Sequence, residues 1–146
     1  PCYTCGTTAQ NTAAYLCAMK NPIVQIIGHP DDGRFPVDYE TLVCAAKEHH
    51  VLLELNNSSL APGCNRKDSR KNMASMLEYC QKYRVPVILD SDAHCEVDVG
   101  NHRYLHQLLE EISFPEELVV NDSLEKAAAF LPSLQKLLDL GGSRDA

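Results

Sequence analysis

No stretch of this 146-residue chain offers the ~20 consecutive apolar residues that span a bilayer, and no signal peptide is visible. Basic residues are few and dispersed: 13 Lys and Arg stand against 20 Asp and Glu, for a net charge of −7. A general nucleic-acid surface needs a basic stripe to neutralise phosphates, so that class is excluded. A small phosphorylated ligand is not excluded, because bound cations reverse the local field of an acidic protein. Internal repeats, low-complexity tracts and an interdomain linker are also missing. A zinc ribbon needs two Cys-x-x-Cys pairs, and only Cys2-x-x-Cys5 is present. The calcium-loop look of Asp31-Asp32-Gly33 lacks the later ligands and the closing glutamate, so the segment reads as a turn.

What is there is ordinary globular material, 45% hydrophobic and 23% charged, enough for one domain with a core. Seven cysteines, at 2, 5, 17, 44, 64, 80 and 95, make an odd count. They read as free thiols in a reducing compartment, and the expected location is cytoplasmic. The chain starts at Pro1 without an initiator Met, which suggests a processed or truncated piece.

Short apolar runs alternate with helical patterns. A helix is predicted from Thr8 to Lys20, stopped by Asn21-Pro22, and a strand over Ile23–Ile27. Asp38 caps a helix running to His49, where His49-His50 suit the C-terminal dipole. The second strand is Val51–Asn56, followed by a polar loop from Asn57 to Lys67. Asp68 or Ser69 caps a third helix, and Val85–Asp90 is the third strand. A helix over Tyr104–Ile112, a short strand Leu118–Val120 and a last helix from Ser123 to about Leu140 complete the pattern. Apolar strands separated by helices indicate βαβ units, an α/β fold and a parallel sheet. In such folds the functional residues lie just past the C-terminal ends of the strands.

The three predicted strands end at His29, at Glu54-Asn56-Asn57, and at Asp90-Ser91-Asp92-Ala93-His94. Neighbouring parallel strands lie about 4.8 Å apart, so side chains leaving their ends can converge. Two imidazoles and a carboxylate suit zinc, manganese or iron. A lone histidine such as His29 is more often a capping or packing residue, although Gly28 and Pro30 would hold it in one direction. Asp92-x-His94 is the stronger signal, since residues two apart on an extended segment leave on one face. Its bland counterpart is a solvated loop with an N-cap aspartate. Glu54, inside a strand, needs a hydrogen-bonding or metal-shell partner. Arg66, Lys67, Arg70 and Lys71 form the one basic cluster. Arg66 and Arg70 are candidates for phosphate contact, against a plain reading as a solvated loop and helix start.

Ile26-Ile27-Gly28-His29-Pro30, Leu53-Glu54-Leu55-Asn56-Asn57-Ser58-Ser59 and Leu89-Asp90-Ser91-Asp92-Ala93-His94 together resemble three consecutive motifs of the PHP (polymerase and histidinol phosphatase) family. The likeness is nearest to its bacterial phosphatase branch, whose middle motif reads L-E-I-N-N-S-S, and it runs from about Asn11 to Leu138. The resemblance implies that residues 1–146 are the C-terminal part of a single PHP domain, a distorted barrel of seven βα units. It implies three metals, usually zinc with manganese or iron as alternatives, at the strands' C-terminal ends. By position His29, Asp92 and His94 match metal ligands belonging to different metals, and Glu54, Asn56 and Asn57 match supporting residues.

The implied activity is hydrolysis of a small phosphate monoester by metal-activated water. The alternative is a metal-depleted structural or regulatory module. The family's opening His-x-His motif, its further histidines and its bridging glutamate have no counterpart here. The chain alone is therefore expected to show little or no activity, and an exposed sheet edge to favour association between copies.

Overall fold

The structure, a computed structural model, describes residues 6–141. Among these residues six α-helices, α1 (Thr8–Met19), α2 (Tyr39–His49), α3 (Ser69–Tyr83), α4 (Arg103–Glu111), α5 (Leu124–Ala128) and α6 (Pro132–Gly141), accompany three strands. The strands β1 (Ile26–Ile27), β2 (Leu52–Asn56) and β3 (Val87–Asp90) form one parallel sheet in the order β1-β2-β3. Ile26 pairs with Leu52, and Leu53 through Asn56 pair with Val87 through Asp90. The α/β class and the parallel sheet are as the alternation of patterns predicted. No helix among the described residues is long and apolar enough to cross a membrane.

Each crossover helix is terminated by its own backbone. At the end of α2, His50 takes a left-handed conformation, its N–H reaching Lys47 O while Val51 N reaches Ala46 O at 2.9 Å. Arg84 and Val85 repeat the device at the end of α3, with Val85 N on Cys80 O at 2.9 Å. These paired bonds satisfy the orphan carbonyls and turn the chain straight into the next strand. At the other end, Asp38 accepts Thr41 N at 3.1 Å, as a capping aspartate should. Asp68 precedes α3 in a left-handed conformation with no side-chain cap bond, unlike the predicted cap.

Because successive strand residues point to opposite faces, the sheet has two unlike sides. Ile27, Leu53, Leu55, Val87 and Leu89 face α2 and α3 and pack with Leu42, Val43, Met73, Met76 and Leu77 in one core. Ile26, Leu52, Glu54, Ile88 and Asp90 alternate onto the other side. There a cavity of about 460 Å³ is lined by Ile26, Gly28, Glu54, Ile88, Leu89 and Asp90. The site sits at the end of this second, more open face.

Three elements differ from expectation. The strand predicted over Ile23–Ile27 shrinks to Ile26–Ile27, because Asn21–Val24 closes a turn through Val24 N on Asn21 O at 2.9 Å. Leu118–Val120 is no strand. Two 3₁₀ turns flank Val119, which makes a single parallel bridge to Val87. Asn121 replaces the missing strand partner: its Oδ1 accepts Leu89 N at 2.7 Å and its Nδ2 donates to Leu89 O at 3.0 Å. The last predicted helix is two, α5 and α6, separated where Pro132 starts a new helix rather than continuing the old one.

Cys17, Cys44, Cys64, Cys80 and Cys95 are free, as read from their odd count; Cys2 and Cys5 lie outside the described residues. Leu53→Ala, at a site with no exposure, should cost about 2–5 kcal/mol in urea unfolding. Ile23→Ala, 82% exposed, should stay within about 0.5 kcal/mol of the parent.

Candidate functional site

Arg66 organises the strand ends. It returns from the loop after β2 and its Nη1 donates to Asn56 Oδ1 at 2.9 Å and to Ser59 Oγ at 2.8 Å. Nη2 donates to Asp92 Oδ2 at 3.1 Å, so one guanidinium joins the end of β2 to the end of β3. Asn56 is buried, accepts Ser59 N at 3.0 Å, and donates to Glu54 Oε1 at 3.0 Å. Ser58 Oγ donates to Ser91 O at 3.0 Å, a second tie between the two strand exits.

The predicted residues fall into this frame unequally. Glu54 is buried and accepts the His29 backbone N–H and the Asn56 amide, which supplies the partners its carboxylate was expected to need. A Cβ on Gly28 would stand 3.3 Å from Glu54 Oε2, a tight contact that Glu54 would have to yield to by a few tenths of an ångström. His29 itself sits at φ 32° and Asp92 at φ 50°, both in the region disfavoured for residues with a Cβ. Asn57 does something the motif did not announce. Its Oδ1 accepts Tyr104 N at 3.0 Å and Leu105 N at 3.3 Å, capping α4 from another element. Arg70 is drawn away to Glu111 of α4, so it does not join the Arg66 cluster.

His94 is exposed, and its Nδ1 lies 2.8 Å from the Asp92 carbonyl. A carbonyl only accepts, so Nδ1 carries a proton toward it, while Nε2 makes no hydrogen bond with a described residue. Burial alone would raise the Asp92 pKa. Hydrogen bonds from Asn56 and Arg66, with the charges of Arg66 and His94, hold it below its ordinary value, so the group is a carboxylate near neutrality.

Glu54 behaves in the opposite way. Burial is the largest influence, and the neighbouring Asp90 adds to it. Together they outweigh the His29 and Asn56 hydrogen bonds and push the pKa up to about 7. Asp90 was missed as a site residue, although strand alternation places it on the face of Glu54, opposite Asn56 in register. His102, at the start of α4, was also missed; it feels the charges of Asp90 and His106.

His29, Asp92 and His94 fit a borderline divalent cation in donor type. In number they fall short: zinc takes about four ligands, and among the described residues no three His, Cys, Asp or Glu groups gather to hold an ion. The Asp31-Asp32-Gly33 segment is a turn, as read. Asp32 accepts Arg34 N at 3.0 Å, and a Cβ on Gly33 would meet Lys67 O at 2.7 Å.

Comparison with known proteins gives relatives and no family model: none matches the chain. It is 41% identical over 140 residues to a protein named "probable phosphatase" in Clostridium novyi, covering 96% of this chain and 57% of that one. It is 39% identical over 139 residues to a "probable phosphatase" of Caldicellulosiruptor bescii, covering 95% and 57%. A third "probable phosphatase", from Acetivibrio thermocellus, is 40% identical over 120 residues, covering 82% and 48%. The chain spans about half the length of the curated relatives it matches.

The elevated Glu54 pKa fixes the sign of a pH effect. Protonated Glu54 is favoured in the folded chain over the unfolded one, so its contribution is fully present below the ordinary glutamate value of about 4.3. That contribution is lost as the pH rises toward about 7. Urea titrations at pH 4.5 and 7.5 should show this decline in the parent and a flatter response in Glu54→Gln.

Proposed function

We propose that this chain is part of a metal-dependent phosphoesterase of the PHP class, which hydrolyses a small phosphate monoester. The observation that carries the reading is the union of strand ends: Asp92 held as a carboxylate by Arg66 and Asn56, next to His94 with a free Nε2. The names of its relatives support the coarser part of this reading, a phosphatase.

In this reading His29, Asp92 and His94 contribute to holding zinc, with manganese or iron as alternatives. The remaining ligands come from the part of the relatives' length that these residues do not span, and the parallel sheet is a portion of a distorted barrel of seven βα units. When bound, the cations lower the pKa of a water and neutralise charge on the phosphoryl oxygens. Glu54, Asn56 and Asn57 support the ligands. Glu54 fixes the His29 turn, Asn56 and Arg66 orient Asp92, and Asn57 sets α4 against the end of β2.

Arg66 keeps donor capacity beyond its three bonds, since a guanidinium has five N–H groups. It can therefore reach a phosphate oxygen without releasing Asp92. Arg70, tied to Glu111, does so only by leaving that partner. The acidic balance suits a small phosphorylated substrate rather than nucleic acid, and the location proposed is cytoplasmic. Copies would associate through the β1 edge, the opposite edge being covered by Val119 and Asn121.

The protein at the full length of its relatives should hydrolyse para-nitrophenyl phosphate, lose turnover to a chelator and regain it with added zinc. Turnover that persists in chelator would overturn the mechanism. Asp92→Ala should lower kcat by more than about 100-fold, beyond what loss of a supporting residue costs. In Arg66→Ala a raised KM would mark phosphate contact. A fall in kcat and metal content at unchanged KM would mark orientation of Asp92.

A further inference from the structure

The geometry points to a second divalent-cation site on α4, in which His102 and His106 supply two imidazoles to a largely hydrated ion such as nickel or cobalt, too few protein ligands for a zinc centre. Its ligands are not those assigned to the strand ends, and it does not rest on the phosphoesterase reading.

His102 precedes the first helical residue, Arg103, and His106 lies one turn further on. The turn is closed, with His106 N on His102 O at 2.9 Å. Residues four apart lie on one helix face, the spacing by which H-E-x-x-H presents two imidazoles to zinc. The two rings have centroids 6.3 Å apart and planes tilted by 58°. Zinc–nitrogen bonds of about 2.0–2.1 Å require the ring nitrogens to turn toward each other. His106 is exposed and free to make that adjustment, while His102 is half-buried and more nearly fixed. Neither ring makes a hydrogen bond with another described residue, so nothing has to be broken to bind.

The scaffold beneath the pair is firm. Asn57 Oδ1 caps the helix through Tyr104 N and Leu105 N, and Leu105 and Leu108 are buried. The surroundings favour a cation. Asp90 acts on His102, and Glu110 lies one turn beyond His106. A groove of about 420 Å³ is lined by His106 and Glu110 together with Glu116 and Asp122. Burial first, then His106, keeps His102 below its ordinary pKa against the pull of Asp90, which favours the neutral imidazole that a metal takes. The carboxylates act through charge, and water completes the coordination. Asp92 and His94 are engaged elsewhere, with Arg66 and with the Asp92 carbonyl.

The test is titration of the full chain with Ni²⁺ in a non-coordinating buffer, followed by calorimetry and by the imidazole resonances. The signals of His102 and His106 should broaden together in one binding step. In His106→Gln that step should weaken at least about tenfold, equivalent to about 1.4 kcal/mol. His102→Gln should weaken it likewise, and His94→Gln should leave it unchanged. The proposal is overturned if His106→Gln, folded as the parent by circular dichroism, binds Ni²⁺ as tightly. It is equally overturned if the same step disappears in His94→Gln or His29→Gln.

Discussion

The guanidinium of Arg66 is the constraint from which the rest of the strand-end region follows. A three-stranded sheet holds its strands through backbone bonds, but those bonds stop at Asn56 and Asp90. Beyond that point the two chains diverge, and side chains must hold them together. Arg66 supplies that link through Asn56, Ser59 and Asp92, with its own side chain only 18% exposed. Hydrogen bonds to a charged group contribute about 1.5–3 kcal/mol each when shielded from water, so the set outweighs a single surface ion pair of about 0–1 kcal/mol. The Arg70–Glu111 pair, with both side chains at least half exposed, belongs to the weaker class.

From this clamp the electrostatics divide. On the Arg66 side, Asp92 is kept charged, with His94 beside it offering a nitrogen outward. Inside β2, Glu54 lies buried near Asp90 and holds a proton to a higher pH. The two carboxyl groups differ because one meets a guanidinium and the other meets burial and a like charge. Environments that push neighbouring acids apart in this way are characteristic of functional clefts, where one group binds cations and another retains a proton.

Much of this was legible from residue order alone, and the physical reason is the local nature of the signals. Apolar runs at Val51–Asn56 and Val85–Asp90 read as buried strands because nothing nearby competes with that pattern. The capping role of Asp38 is similarly local. Leu118–Val120 misled for the opposite reason. Its composition is that of a strand, but the backbone partner it needed was replaced by the Asn121 carboxamide, which satisfies Leu89 from a turn. Arg70 was placed beside Arg66 by sequence proximity, yet α3 directs it toward α4 and Glu111. Asn57 was grouped with the metal-supporting motif, while its bonds are to the α4 backbone.

The sequence by itself determined the alternation of strand and helix, the parallel sheet, and the gathering of polar residues just past the strands, because period, turn chemistry and strand direction are properties of short segments. Tertiary structure alone decided which of those residues touch. The Arg66 clamp, the Glu54–Asp90 pairing and the cap that Asn57 gives α4 each join separate segments of the chain. Their existence depends on register and helix placement, which come from packing a common core rather than from any local preference.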